Sequence, residues 1–100
     1  MSRSIRFHPR AKEEYEEALS YYQERSEDAA LRFEASINTC LLRIADDPER
    51  YFSHSGIRCC RVIVFPYFIH YREGDSEIQI VAVAHQKRKP GYWLSRVADN

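Results

Sequence analysis

A chain of 100 residues is the length of one domain, and residues 1–100 read as a single unit able to bury a core without staples. Its fifteen Lys and Arg balance fifteen Asp and Glu, and zero net charge argues against a protein that grips nucleic acid by bulk electrostatics alone. Cys40, Cys59 and Cys60 are too few and wrongly spaced for a disulfide framework or a zinc site, and His8, His54, His70 and His85 are dispersed, so no metal or other cofactor is expected.

The chain opens Met1-Ser2-Arg3-Ser4-Ile5-Arg6, with no apolar run of signal-peptide or membrane-spanning type, and this leads us to expect a cytoplasmic protein. Ser4 to Phe7 is a short predicted strand. Pro9 suits the first turn of a helix, where its missing N–H costs nothing, and His8 stands at the entry. Ala11, Tyr15, Ala18, Leu19 and Tyr22 recur at helical spacing and predict an apolar stripe ending near Arg25. Glu13-Glu14 and Glu16-Glu17 read as the solvated face of that helix. Ser26 is the expected N-cap of a second helix, with Glu27 and Asp28 at its positive end. Its stripe is Ala30, Phe33, Ile37, Cys40, Leu41 and Ile44, and Asp46-Asp47-Pro48 stops it. Two amphipathic helices joined by a tight turn form an antiparallel hairpin.

Glu49 to Gly56 reads as a loop. The period then changes. Arg58 to Phe65 is a predicted strand broken by Pro66, Tyr67 to Arg72 is the next, and Glu73-Gly74-Asp75-Ser76 is a turn. Glu77 to His85, the most apolar, is predicted to lie centrally with both faces buried. Pro90 and Gly91 punctuate, and Tyr92 to Val97 has the length for one or two helical turns. The order β-α-α-β-β-β predicts an α+β fold, with the N-terminal helical hairpin packed on an antiparallel sheet and a short helical turn at the C-terminal end. The opposite sheet face is expected to carry Arg and Tyr side chains as a shallow, partly open surface.

Charge is segregated along the chain. Residues 1–50 hold eight basic and eleven acidic side chains, and residues 51–100 hold seven and four, so an anionic partner should meet the second half. The stretch from Ala84 to Arg96 contains no acidic residue, and it sets Lys87, Arg88, Lys89 and Arg96 beside Tyr92 and Trp93. Cations next to aromatic rings suit an anion or a flat partner face, although a solvated cluster with Trp93 over the core has the same sequence. His85, at the junction of strand and tail, is either a general base or a residue that hydrogen-bonds the strand end and orders the tail. Arg58 and Arg61, three apart on a strand, should face opposite sides, each meeting an anion or the acidic helices. Cys59 and Cys60 should likewise part.

Five segments together resemble the RelE/ParE superfamily, the toxins of type II toxin–antitoxin pairs. They are Phe7-His8-Pro9 with Ala11; Tyr21-Tyr22; Pro48 with Tyr51; Phe65-Pro66-Tyr67-Phe68-Ile69-His70-Tyr71; and Val81-Ala82-Val83-Ala84-His85 with Arg88, Pro90, Tyr92, Trp93 and Arg96. They run in the family's order over nearly the whole chain, and the ParE-like branch is the closer. The resemblance implies two helices on an antiparallel sheet and one of two activities. RelE-like members are ribosome-dependent mRNA endoribonucleases, and the matching catalytic positions here are Arg61, Lys87 or Arg88, and Tyr92, with His85 as a substitute base. Phe68 stands where that branch carries a catalytic arginine. ParE-like members instead poison DNA gyrase. A third possibility is an inactive relic that only binds antitoxin. The resemblance further implies a cognate antitoxin, whose disordered acidic segment folds onto the hairpin groove and sheet. The residues expected to contact target or antitoxin are Arg58, Arg61, Lys87, Arg88, Lys89, Tyr92, Trp93 and Arg96.

Overall fold

A computed structural model describes residues 3–97. The elements are β1 (Ser4–Phe7), α1 (Pro9–Arg25), α2 (Glu27–Asp46), a 3-10 turn (Pro48–Arg50), β2 (Ser53–His54), β3 (Ile57–Arg61), β4 (Tyr67–Glu73), β5 (Glu77–His85) and a second 3-10 turn (Leu94–Arg96). The fold is α+β, with the helical hairpin on one face of a five-stranded sheet of order β1-β5-β4-β3-β2.

The helix boundaries follow from their caps. His8 Nδ1 accepts the Arg10 N–H at 3.0 Å and Pro9 opens α1; Ser26 Oγ accepts the Ala29 N–H at 3.1 Å and starts α2. The two apolar stripes meet the sheet around Phe33, which is fully buried and ringed by Tyr15, Tyr22, Phe65 and Tyr67 with centroids 5.0–6.0 Å away. Ile37, Cys40 and Ile44 continue the α2 side of the core against Cys60, Ile69, Tyr71, Ile78 and Ile80. Tyr71, buried to 0% exposure, donates its hydroxyl to the Pro48 carbonyl at 2.6 Å and so fixes the chain leaving α2.

The meander β3-β4-β5 is antiparallel as expected, and β1 adds a parallel edge along β5 that makes the sheet mixed. β5 is central, with Ile78 and Ile80–Ala84 buried. Two expectations need correction. The segment read as a loop from Glu49 to Gly56 contains a 3-10 turn and β2, which pairs with β3 through a two-residue turn. Ser55 and Gly56 both have positive φ, 54° and 79°, as a tight hairpin of this hand requires. The strand read as Arg58 to Phe65 ends at Arg61. Beyond it Val62 stays tied to β4, its N–H donating to the Tyr67 carbonyl at 3.0 Å, and Val64 turns the chain at φ 76°, an unusual angle for a β-branched residue. Propensity alone reads this apolar run as strand, whereas the turn into Pro66 needs the reversal there.

The β4–β5 register contains a bulge. His70 faces Ala82 and Tyr71 faces Ile80, so Val81 is an extra residue on β5. The bulge swaps the parity of everything after it. Ile80 sends its carbonyl to His8 N–H at 2.9 Å on the β1 side, and past the bulge it is Val81 and Val83 whose backbone groups reach that edge, where β1 has already ended. It also directs Ala82 and Ala84 to the face opposite the helices. That face carries Cys59, Arg61, Phe68, His70 and Arg72 by strand alternation, while Tyr67 and Tyr71 point into the core; the expected arginines are therefore on the open face and the expected strand tyrosines are not. Cys59 and Cys60 part as predicted, and all three cysteines are free.

Replacing Phe33 by Ala is expected to cost about 3–5 kcal/mol in a urea melt, because four rings lose their common neighbour. Leu42, 71% exposed on the same helix, should tolerate Ala within about 0.5 kcal/mol.

Candidate functional site

The site is organised by Glu14, on α1. Its Oε1 accepts the Val83 N–H at 3.0 Å, which satisfies the donor left open at the edge of β5. Arg96, from the C-terminal turn, grips both carboxylate oxygens at 2.9 Å and donates as well to the Val81 carbonyl at 3.0 Å. Tyr92 donates its hydroxyl to Oε2 at 2.5 Å. The Arg96 and Glu14 side chains are only 8% and 14% exposed, so this pair is largely shielded from water and fully engaged. Burial pushes the Glu14 carboxyl up, but the bonds from Arg96, Tyr92 and Val83 outweigh it and hold the group below its ordinary 4.5. Burial and the Glu14 carboxylate push the Tyr92 phenol up to about 12.

This bolt corrects the reading of Glu14 as part of a solvated face. The clue was in the spacing. Glu14 stands three residues after Ala11 and four before Ala18, on the buried stripe rather than opposite it. It also gives Arg96, expected to contact a partner, an internal role. Arg58 has one too: its Nε meets Glu73 at 2.6 Å and its Nη1 the Tyr51 carbonyl at 2.5 Å, joining β3 and β4 to the segment after α2. Its ion pair is with a strand carboxylate, where the helices had been expected. Arg61 lies on the other face, opposite Phe68, and is exposed.

Two concave surfaces flank the bolt. A groove of about 550 Å³ runs between α1 and the start of β4 and end of β5, walled by Tyr21, Tyr22, Tyr67 and Val83, with Arg25 and Arg88 and the carboxylates Glu14 and Glu17 also on its lining. Arg25 lies 3.6 Å over the Tyr21 ring. On the open sheet face, the tail folds back to form a cleft of about 580 Å³. Trp93 lies on His70, centroids 4.7 Å apart and planes 32° apart, and Phe68 and Ala84 form the floor. Burial lowers His70 to about 4, so its ring is uncharged at neutral pH. Arg88, Lys89 and Tyr92 complete the rim, with the Arg88 guanidinium 3.8 Å over the Tyr92 ring. Lys87 is exposed nearby, and its N–H donates to His85 Nδ1 at 3.1 Å. The sequence-predicted residues thus divide. Arg88, Lys89, Tyr92, Trp93 and His85 share one cleft, whereas Arg58 and Arg96 are structural. Phe68, His70 and His54 of the cleft were outside the predicted set.

His85 orders the tail. In a neutral imidazole the nitrogen that accepts from Lys87 is the basic one, leaving Nε2 as a donor. Its ring also packs edge-on against Tyr67 at 5.1 Å. Among the described residues no group of three or more His, Cys, Asp and Glu side chains is arranged to hold a metal ion, and no helix is long and apolar enough to cross a membrane.

Residues 5–90 match the family model described as the ParE toxin of type II toxin–antitoxin system, parDE. The chain belongs to the ParE toxin family. The match spans both helices, β2 to β5 and β1 from Ile5 onward, and stops at Pro90, before Tyr92 and Arg96. Among solved structures, the fold resembles a chain of the chromosomal ParDE TA system from P. aeruginosa, with TM-score 0.71 and 16% identity over 84% of this chain and 96% of that one. At that identity the likeness is one of fold. A search of curated proteins found no match. Membership in the ParE family makes this chain a toxin of type II toxin–antitoxin class.

Glu14→Gln should lower stability by about 3 kcal/mol or more at neutral pH, since it leaves Arg96 buried without its counter-charge. The sign with pH follows from the depressed carboxyl. The wild-type advantage is complete above the unfolded value of about 4.5 and is lost as pH falls through the lower folded value, so the two urea midpoints should converge in acid. A gap that stays constant with pH would show that the carboxylate charge does not hold the tail.

Proposed function

We propose that this ParE-family chain arrests growth by inhibiting DNA gyrase and that a cognate antitoxin neutralises it in the cytoplasm. Family membership over residues 5–90 carries the reading. The related fold from P. aeruginosa, titled as a ParDE toxin–antitoxin system, supports an antitoxin partner for this chain. The groove beside α1 is the proposed seat of the antitoxin. Its tyrosines supply apolar area for a folding segment, and Arg25 and Arg88 supply cations for acidic side chains.

The RelE-type alternative calls for a base, an acid and cations converging on one phosphate. Here the candidate base and acid are engaged elsewhere, although the cations Arg61, Lys87 and Arg88 remain exposed. The Tyr92 hydroxyl is donated to Glu14, His85 Nδ1 accepts Lys87, and Phe68 occupies the position of the RelE-branch arginine. This supports a target reached by binding rather than by RNA cleavage.

Induced expression without antitoxin, scored for gyrase–DNA cleavage complexes and for mRNA integrity, tests the proposal. Growth arrest with cleavage complexes and intact mRNA is expected. Codon-positioned mRNA cuts that disappear in Arg61→Ala or His85→Ala would replace gyrase with the ribosome, and absence of arrest would leave only the antitoxin-binding role.

A further inference from the structure

We infer that Cys40 on α2 and Cys60 on β3 are a reversible dithiol, which a hydroperoxide converts into a disulfide that staples α2 to the sheet. The inference is independent of what the toxin acts on. Both sulfurs lie in the core on the helix side of the sheet, and neither lines the groove or the cleft.

Three observations carry it. The sulfurs converge. Both approach one oxygen, the Arg61 carbonyl, Cys40 Sγ at 3.9 Å and Cys60 Sγ at 3.8 Å, and the two thiols are hydrogen-bonded to each other. They are also held in place. The two residues are 3% and 2% exposed where α2 meets the sheet, so each has the other as its thiol neighbour and neither is free to pair with a second chain. Finally, they are unequal. The bond from Cys40 holds the Cys60 thiol below its ordinary value against the opposing effect of burial, with Tyr51, Arg43 and Arg50 assisting, and the same bond pushes Cys40 up. One sulfur is thus poised as the thiolate that attacks, and the other keeps its proton until it resolves. Cys59 is outside the pair: it points to the opposite face, and burial raises it to about 11. The cover beside Cys60 is the short segment after α2, with Tyr51 half-buried and Arg50 exposed, and local opening of such a segment admits a molecule little larger than water.

The step balances with hydrogen peroxide as the oxidant. The Cys60 thiolate attacks one peroxide oxygen, the O–O bond breaks, and the departing hydroxide takes up the proton Cys60 had shed, giving one water and a sulfenic acid. The Cys40 sulfur then attacks the Cys60 sulfur. The S–O bond breaks as the S–S bond forms, and the hydroxyl leaves with the Cys40 proton as a second water. The two thiols lose two electrons and the peroxide gains them; a dithiol reductant returns them. The new bond closes a loop of about twenty residues, which removes conformational freedom from the unfolded chain. That loop holds the last turns of α2, the first 3-10 turn and β2. The oxidised toxin is therefore harder to unfold than the reduced one, and in a reducing compartment such a bond is transient and sensing rather than structural.

The full chain, reduced and then freed of reductant, would be treated in its folded state with a modest excess of hydrogen peroxide, denatured, alkylated and weighed by mass spectrometry. Loss of two of the three thiols is expected, with both restored by dithiothreitol. Trypsin should release residues 33–43 joined to residues 59–61. Because Cys59 and Cys60 share that second peptide, the Cys59→Ser chain assigns the bond: the crosslink should persist there and vanish in Cys40→Ala and Cys60→Ala. Circular dichroism of the alanine variants separates a lost bond from a lost fold, and if they do not fold the Cys59→Ser result decides alone. The urea midpoint of the oxidised chain should rise by about 1 M or more and fall back on reduction. Three thiols retained by the folded chain under peroxide that oxidises the urea-unfolded chain, a crosslink through Cys59 or between chains, oxidation that dithiothreitol does not reverse, or an unchanged midpoint would each overturn the inference.

Discussion

One buried carboxylate determines where the functional surfaces stand. A charged group lacking partners in Glu14's position would cost several kcal/mol. It is tolerated because a backbone amide, a phenol and a forked guanidinium all converge on it. Those donors come from two parts of the chain, the sheet and the tail, and the carboxylate that joins them stands on helix α1. The groove lies on one side of this junction and the cleft on the other. Without it, the tail beyond Arg88 would rest on the sheet chiefly through the Trp93–His70 contact. A contact of that kind is worth about 0.5–1.5 kcal/mol, less than ordering some ten residues requires.

The junction in turn exists because of an irregularity. β1 covers β5 only from Glu77 to Ile80, and the bulge at Val81 turns the next amide and carbonyl toward the uncovered edge. An exposed edge of this kind invites pairing with another chain. Here a helix carboxylate takes the amide and the tail arginine takes the carbonyl, so the edge is closed by side chains rather than by a sixth strand. The same bulge sends Ala82 and Ala84 to the open face. Their small side chains leave the depth that the cleft occupies, which larger residues at these positions would fill.

Most of the fold was legible in the sequence, and the failures have specific physical causes. The stripes of α1 and α2, the Ser26 cap and the Pro48 stop, and the limits of β5 all rest on local periodicity and local capping, which a linear reading sees. The run from Val62 to Phe65 misled because its β-branched residues favour a strand, while the sharp turn before Pro66 is imposed by the pairing of Val62 with Tyr67. Glu14 misled because three neighbouring glutamates made it look like one of a solvated set; its true partners lie 69, 78 and 82 positions away. Of the residues assigned to binding from the sequence, those with no ion pair among the described residues, Arg61, Lys87, Arg88 and Lys89, stayed on the surface. Arg58 and Arg96, each with a carboxylate placed by the fold, did not. Charge in a sequence states what a residue can pair with, and only the topology decides whether its partner is internal.

Arg88 lines both surfaces. Its guanidinium packs over Tyr92, whose hydroxyl is fixed by Glu14. One guanidinium cannot face two anions on different sides at full strength. An acidic segment seated in the groove that draws Arg88 toward it therefore removes a cation from the cleft and releases the ring beneath. On the proposed seating of the antitoxin in the groove, Arg88 is the side chain through which that binding reaches the cleft, while the bolt at Glu14 keeps the tail in place.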